Sequence, residues 1–497
     1  MFFKSAHTAA HMLLAFSLDF ISLWEWRWLL LALTTVLAVG ALLHVVTLKR
    51  DPRSAAYWVA LIALVPLLGA VMYFVFGINF IRRRGRHFRD PVESHVEIFS
   101  QSCPILPLPT TPTAEEDVKL AITLDKISRY HFTTGNKVIP LRNGDESMPP
   151  MLEAIRQARH TLALGTYIFE AHGIGADFVN ELIAAKERGV QVRVMVDGIG
   201  TRYSWPPVTR QLGKAGVPAH RFMPNHRVTR LLTMNLRNHR KILIADGALG
   251  FTGGINIREG NMLARKPPHP IRDLHFQVEG PVVRQMMRAF AEDWAFCSGE
   301  VLEGPQWFPE IAEAGQVSAL GIPDGPDEDM EVMPVAFFAA LSAAREEVNI
   351  LNPYFLPFPS LIWALNLCAV RGVRVNIVTP AVNNIPLVAW AARTLYPELL
   401  KNGCRIYESP VPFDHSKIFT VDGVWSFLGS TNWDPRSLRL NFEFNLACYD
   451  RDLSTRQNAE FNAKLAESRE ITLEELAATP LPIRVRNGIA RLFIPLL

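Results

Sequence analysis

The chain has 497 residues, 51 Lys and Arg against 48 Asp and Glu for a net charge of +3, and 49% hydrophobic against 20% charged residues. At about 150 residues per domain this length allows two to four domains and excludes a peptide or small disulfide scaffold, while the composition excludes bulk disorder. The even charge excludes a chain that binds nucleic acid over its whole surface, and a mean hydropathy of +0.12 points to membrane segments.

Residues 1–27 mix Phe2, Phe3, Leu13, Leu14 and Phe16 with histidines and Asp19, a pattern that suits an interfacial segment. No charged residue occurs from Trp28 to Leu48, nor from Ser54 to Ile81, and each run exceeds the ~20 residues that a spanning helix needs. Only Lys49-Arg50-Asp51-Pro52-Arg53 separates them, so residues 28–81 read as an antiparallel transmembrane hairpin. A cleaved signal peptide fits less well, because Asp19 interrupts the first apolar stretch and a second full run follows. Arg82, Arg83, Arg84, Arg86 and Arg89 come directly after it and outnumber the charges at the hairpin tip. By the positive-inside rule the remaining body is cytoplasmic. Residues 82–119 form a basic and Pro-rich linker that contains Cys103-Pro104-Ile105-Leu106-Pro107-Leu108-Pro109. The five cysteines, Cys103, Cys297, Cys368, Cys404 and Cys448, lack a C-x-x-C pair and read as reduced, mostly buried thiols.

Beyond residue 120 the chain repeats itself. Ala184-Ala185-Lys186-Glu187-Arg188-Gly189-Val190-Gln191-Val192-Arg193-Val194 is echoed by Leu367-Cys368-Ala369-Val370-Arg371-Gly372-Val373-Arg374-Val375-Asn376-Ile377. Each copy reads as helix, glycine stop, strand. Upstream, Ala158-Arg159 and Tyr167-Ile168-Phe169 match Ala344-Arg345 and Tyr354-Phe355. Alternating strands and helices predict two α/β half-domains in pseudo-twofold arrangement, residues 120–298 and 334–497, with a Pro-, Gly- and acid-rich linker over 299–333.

The repeat carries chemistry at His239-Arg240-Lys241-Ile242-Leu243-Ile244-Ala245-Asp246 and His415-Ser416-Lys417-Ile418-Phe419-Thr420-Val421-Asp422, both H-x-K-x-x-x-x-D. Random placement would yield about 0.01 such matches in this composition, so chance does not explain two. The match continues through Gly253-Gly254-Ile255-Asn256 and Gly429-Ser430-Thr431-Asn432. Lys241 to Ala245 has the residue types of a strand, so His239 and Lys241 project to one face. There a neutral imidazole can attack phosphorus while an ammonium neutralises the phosphoryl oxygens. Asn256 and Asn432 add donors for the same oxygens. Displacement at a phosphodiester also needs a proton donor for the leaving alkoxide, and two motifs meeting at one interface supply both histidines. Asp246 and Asp422 complete the catalytic motifs and read as anchors of the following turn rather than as groups on the substrate. Asp273, after the first motif, and Glu443, after the second, are the carboxylates to orient the two histidines. No cluster has metal-ligand spacing, and the acidic knot Asp324, Asp327, Glu328 and Asp329 reads as a solvated linker.

These paired motifs, with Gly429-Ser430-Thr431-Asn432-Trp433-Asp434-Pro435-Arg436-Ser437, resemble the phospholipase D superfamily, and within it the bacterial cardiolipin synthases. Asp51-Pro52-Arg53, Pro66-Leu67-Leu68-Gly69, Asn235-Leu236-Arg237-Asn238, Pro353-Tyr354-Phe355 and Asn441-Phe442-Glu443 fit the same group. The resemblance implies a metal-free, cofactor-free phosphatidyl transfer in the bacterial inner membrane. A covalent phosphohistidine would form from phosphatidylglycerol, glycerol would leave, and a second phosphatidylglycerol would accept. By analogy with two-motif relatives, His239 would be the nucleophile and His415 the acid and then base, with Lys241, Lys417, Asn256 and Asn432 on the phosphoryl group. Phosphatidylethanolamine or water as acceptor stays open, the latter making a hydrolytic phospholipase D. A nuclease is disfavoured by the neutral charge and the apolar N-terminal runs. Two basic-apolar stretches, Arg221 to Lys241 and Ile483 to Ile494, suit contact with an anionic bilayer.

Overall fold

The computed structural model describes residues 3–49, 52–77, 115–222, 236–325 and 332–494. At the N-terminus one helix runs from Phe3 to Leu48. Its portion Trp26–Leu48 is the one stretch among the described residues long and apolar enough to cross a membrane. The second apolar run is not the continuous helix expected. It forms Pro52–Leu64 and Pro66–Met72 with a break at Val65. Pro66 has no N–H to continue the ladder, and its ring cannot sit inside a helix. The chain turns back so sharply that a Cβ on Gly69 would lie 2.7 Å from the Leu61 carbonyl oxygen. Ala41, Val45, Ile62 and Ala70 are buried among these helices, the Tyr73 hydroxyl and His44 Nδ1 share a hydrogen bond of 2.7 Å, and Trp58 packs edge-on against Tyr73.

The body is built from two sets of seven strands. The first set is β1 (Thr133–Arg142), β2 (Thr161–Thr166), β3 (Gln191–Asp197), β4 (Ala219–Phe222), β5 (Ile242–Ala245), β6 (Leu249–Gly253) and β7 (Leu274–Glu279). The second is β8 (Val317–Asp324), β9 (Glu347–Leu351), β10 (Arg374–Pro380), β11 (Arg405–Ser409), β12 (Ile418–Val421), β13 (Trp425–Gly429) and β14 (Asn441–Tyr449). In space the first set runs β1-β7-β6-β5-β2-β3-β4 and the second β8-β14-β13-β12-β9-β10-β11, the same order twice. The sets join where β1 and β8 pair antiparallel, with Thr133 opposite Ala319 and a bulge before Asn136 opposite Val317. One mixed sheet therefore crosses both halves.

Local sequence accounts for the repeated parts. Helix Ile174–Glu187 buries Ile174, Phe178, Leu182 and Ala185 at helical spacing, and its echo Pro359–Val370 buries Leu361, Ile362, Leu365 and Cys368. Gly189 and Gly372 stop the two helices at the same φ of 92°, a left-handed conformation that glycine adopts without a Cβ clash. Parallel strands follow, fully flanked by helices and nearly all buried. The shared interior includes Phe276, Phe290 and Trp294 from the first half and Phe337, Trp425 and Trp433 from the second, each worth about 1.5–3 kcal/mol in apolar burial.

Two boundary expectations need correction. Strand β8 lies inside the stretch 299–333 read as a linker, because its Gly321 and Pro323 suggest loop while its central place at the seam buries all eight of its residues. Asp324, assigned to a solvated acidic knot, is buried at the end of that strand, and Asp327, Glu328 and Asp329 lie outside the described residues. Cys368, Cys404 and Cys448 are buried thiols, Cys297 is half-buried with its Sγ against Met195 Sδ, and Cys103 lies outside the described residues.

Candidate active site

Each H-x-K segment precedes a strand rather than lying in it. His239, Arg240 and Lys241 lead into β5, and His415, Ser416 and Lys417 into β12. What holds them is a pair of two-residue parallel ladders across the seam. Arg237 and Asn238 pair with Asn441 and Phe442, and Phe413 and Asp414 pair with Ile271 and Arg272. The ladders end with His239 N donating to Phe442 O at 2.9 Å and His415 N donating to Arg272 O at 2.7 Å. The next residues along, Glu443 and Asp273, thereby stand beside the histidines. His239 Nδ1 lies 3.0 and 3.1 Å from the two Glu443 oxygens, and His415 Nδ1 lies 2.7 Å from Asp273 Oδ2. Each histidine thus takes its carboxylate from the opposite half, whereas chain order pairs Asp273 with His239 and Glu443 with His415. The ladder joins each motif to the far half's last strand, so the near carboxylate faces the other ring.

The two imidazoles face each other edge-on with centroids 6.5 Å apart. With both Nδ1 atoms engaged by carboxylates, Nε2 is the ring atom to meet a ligand, and in His415 it lies 3.3 Å from Lys417 Nζ. Both rings line one cavity of ≈ 470 Å³ whose wall also includes Tyr167, Asn256, Asp273, Tyr354, Asn432 and Asn441. Tyr167 packs against His239 with centroids 5.2 Å apart, and Tyr354 against His415 at 5.7 Å.

Lys241 Nζ donates to His239 O at 2.7 Å, and Lys417 Nζ stands 2.9 Å from His415 Nδ1. Burial lowers Lys241 to about 7 against the pull of Glu443, and burial also lowers Lys417. Burial, helped by the Lys417 ammonium, lowers His415 to about 4, and burial lowers His239 despite Glu443. Burial works against the charge on both carboxylates. Even so, Lys417 and His415 together hold Asp273 below its usual range, and His239 and Lys241 do the same for Glu443. Burial thus disfavours these cations, and an anion between the rings would favour them.

Glu443 is further held by Ser430 Oγ, donating at 2.5 Å, and by Asn441 Nδ2 at 3.1 Å. The first half has Gly254 where the second has Ser430. A Cβ there would lie 2.2 Å from Asp273 Oδ1, so the difference between G-G-x-N and G-S-x-N follows from a carboxylate seated closer to the backbone. Asn256 Oδ1 accepts from Ile168 N at 3.0 Å, which leaves its Nδ2 for a ligand. Asn432 Nδ2 donates to Ser437 Oγ at 3.3 Å, while its buried Oδ1 has no hydrogen-bond partner among the described residues.

The motif aspartates stand outside the cavity wall. Asp246 accepts from the backbone N–H groups of Arg159, His160 and Thr161 at 2.7–2.9 Å, and Asp422 from those of Arg345, Glu346 and Glu347 at 2.8–2.9 Å. Both adopt a left-handed φ near 50°. They pin the turn after each motif strand to the start of β2 or β9, as expected of anchors of that turn.

Several wall residues escaped the sequence reading. Tyr203, Arg258, Asn384, Ile385 and Val388 lie outside the stretches whose residues match between the two halves. Asp434, Arg436 and Ser437 stood in the quoted Gly429–Ser437 phrase, but nothing in their spacing marked them as cavity residues. Arg240, read as part of a lipid-facing stretch, is 2% exposed; its guanidinium donates to Glu443 O and Asp324 O and pairs with Asp293 at 2.9 Å. Arg227 and Arg230 of that stretch lie outside the described residues. Among the described residues no group of three or more His, Cys, Asp or Glu is arranged to hold a metal ion.

Comparison with known proteins agrees with this architecture. The family model described as "Cardiolipin synthase, PLD-like domain" matches residues 151–294 and 337–465, and one described as "Phospholipase_D-nuclease N-terminal" matches residues 36–77. A cardiolipin synthase of Geobacillus sp. (strain WCH70) is 32% identical over 90% of this chain and 90% of its own length. Cardiolipin synthase A of Pseudomonas fluorescens is 32% identical over 94% of this chain and 98% of its own, and the major cardiolipin synthase ClsA of Bacillus subtilis is 30% identical over 94% and 99%. A crystal structure of phosphatidylserine synthase from Haemophilus influenzae superposes with a TM-score of 0.60 at 14% identity, over 76% of this chain and 100% of that one, which establishes the shared fold. With both halves matched by the family model and nearly its whole length shared with these relatives, the chain belongs to the cardiolipin synthase family of phospholipase D-like proteins.

Proposed function

We propose that this protein is a membrane-anchored cardiolipin synthase that moves a phosphatidyl group from one phosphatidylglycerol to the hydroxyl of another and releases glycerol. The observation that carries the reading is the pair of H-x-K histidines facing one another across a single cavity, each with Nδ1 against a buried carboxylate. One Nε2 attacks phosphorus as the bond to the glycerol oxygen breaks, and the other imidazolium gives that oxygen its proton. The second imidazole then takes a proton from the acceptor hydroxyl, whose oxygen displaces the histidine and forms cardiolipin. Lys241, Lys417 and Asn256 neutralise and orient the phosphoryl oxygens. A phosphodiester monoanion between the rings offsets the two ammonium groups and supports the proton that the acid must carry.

The N-terminal unit holds the enzyme in the bacterial inner membrane, with Trp26–Leu48 as a spanning helix and Pro52–Met72 as a broken apolar element entering beside it. The arginines after it keep the two catalytic halves on the cytoplasmic side. Helix Leu481–Leu492 buries Asn487 and Ala490 and exposes Leu481, Val485, Ile489 and Leu492 together with Arg484 and Arg491, a face suited to an anionic lipid surface. The test is detergent-purified protein incubated with phosphatidylglycerol in the presence of EDTA, with lipids and glycerol resolved. Cardiolipin with equimolar glycerol is expected. Phosphatidic acid alone would make water the acceptor and refute the transferase reading.

A further inference from the structure

Three buried aspartates cap turns in the same way, and one of them is left incomplete. Asp197 Oδ1 accepts from Ile199 N at 2.8 Å and Asp414 Oδ1 from Ser416 N at 2.9 Å. In both the second oxygen is also taken, by Asn238 N at 2.8 Å in Asp197 and by Lys464 Nζ in Asp414. Asp434 Oδ1 likewise accepts from Arg436 N and Ser437 N, both at 2.9 Å, but among the described residues no group donates to its Oδ2. Asp434 is 5% exposed and lines the cavity two residues beyond Asn432. Burial pushes its carboxyl up to about 7; Glu443 adds to the push, while the two N–H groups and the Arg436 charge oppose it. The shared fold does not require a carboxylate there. Counterparts around the motifs are 176 residues apart, and the matching position in the first half holds Arg258, paired with Glu170 at 3.5 Å.

An ionised carboxylate only accepts hydrogen bonds, and beside a phosphoryl site it repels the anion of the substrate. Its free oxygen therefore suits the part of the substrate that donates. In the proposed reaction that part is a glycerol unit, and it occurs twice: as the alcohol that leaves the donor lipid, and as the head group that attacks from the acceptor. In both, the oxygen joined to phosphorus or approaching it has a hydroxyl on the next carbon. We propose that Asp434 Oδ2 accepts a hydrogen bond from that neighbouring hydroxyl, so that one polyol subsite orients both the leaving glycerol and the attacking head group. The bound hydroxyl supplies the donor that the fold withholds and favours the charged carboxylate. An alcohol without it leaves a buried oxygen unpaired, which is how a site built around a hydroxyl rejects its analogues. The inference rests on the proposed transferase reading.

The experiment uses the full-length protein in detergent micelles of phosphatidylglycerol, with labelled glycerol and a second alcohol in competition. The first displacement is then common to both products, and their ratio reads the acceptor alone. Wild-type protein should favour glycerol over propane-1,3-diol, which lacks the middle hydroxyl, by roughly tenfold or more, the effect of losing a hydrogen bond to a charged group. It should use propane-1,2-diol, which keeps the neighbouring pair, within about threefold of glycerol. Asp434→Ser keeps an oxygen for the turn and vacates the second position, and Asp434→Asn puts a neutral donor there; each should lower the preference for glycerol over propane-1,3-diol toward unity. Wild-type protein indifferent to the middle hydroxyl, or variants that keep the wild-type preference, would overturn the subsite. So would a variant that melts like the wild type and makes no product from either alcohol, since Asp434 would then act in the chemistry itself. Wild-type protein whose sole product is phosphatidic acid overturns the transferase reading instead.

Discussion

Replacing Glu443 with glutamine tests the crossed pairing directly. Glu443 is fully buried, lies 3.0 and 3.1 Å from His239 Nδ1, and accepts from Ser430 and Asn441. The glutamine keeps the volume but removes the charge. The imidazolium of His239 then loses a charge-assisted hydrogen bond of about 1.5–3 kcal/mol. At 1.36 kcal/mol per unit this lowers the ring's pKa by about one to two units further, and slows turnover by about 10- to 150-fold. If the new amide donates to Nδ1 it also moves the ring proton to Nε2 and blocks attack there, and losses of about 10⁴-fold follow. Cardiolipin formation from phosphatidylglycerol measures the rate. Nitrogen-edited magnetic resonance of the histidine rings, titrated with pH, measures the pKa values. Glu443→Gln should move the His239 resonances and leave those of His415 in place, and Asp273→Asn should do the reverse. A Glu443→Gln enzyme with the wild-type rate, or one whose His415 titration moves instead, would refute the pairing and the role given to it.

His239→Ala should abolish transfer while the protein stays folded and membrane-bound, as checked by lipid products and membrane fractionation; wild-type activity would sink the mechanism. Asp246→Ala removes the acceptor for three backbone N–H groups and should cost about 2–4 kcal/mol in a denaturant melt, with turnover per folded molecule kept. A large loss of turnover at full stability would return Asp246 to the chemistry. Lys241, lowered to about 7 by burial, loses its charge as pH rises through that value, so KM for phosphatidylglycerol should climb between pH 7 and 9; a flat KM contradicts it. His275 is buried with no hydrogen-bond partner for either ring nitrogen among the described residues, and burial lowers it to about 3. Its folded pKa lies below the unfolded value of about 6.5, so the neutral ring favours the fold above pH 6.5 and this stability drains away as pH falls toward 3. By pH 4.5 about 2.7 kcal/mol should be gone, which the shift of the melt between pH 7 and 4.5 would show and which His275→Gln should reduce. An equal shift in the variant would rule His275 out as the cause.

Much of the site was legible before folding was considered, because its signals are local. The helix, glycine and strand order around Gly189 and Gly372 needs only apolar spacing and one left-handed residue. The spacing of His239, Lys241 and Asp246, repeated at His415, Lys417 and Asp422, marks two matching loops, and a displacement that needs both a nucleophile and an acid leads one to expect that they meet. Asp273 and Glu443 could be named as the orienting carboxylates from their position after each motif. Their crossing could not, because contacts between residues 204 and 142 apart in sequence are set by strand pairing across the seam. The same long-range pairing turns the loop-like Val317–Asp324 into a central strand and buries Arg240 under the opposite half. A bend at Val65 splits an apolar run that composition alone made continuous. Spacing encodes what one strand or helix does alone, and only the closed sheet decides which half each motif histidine and its carboxylate face.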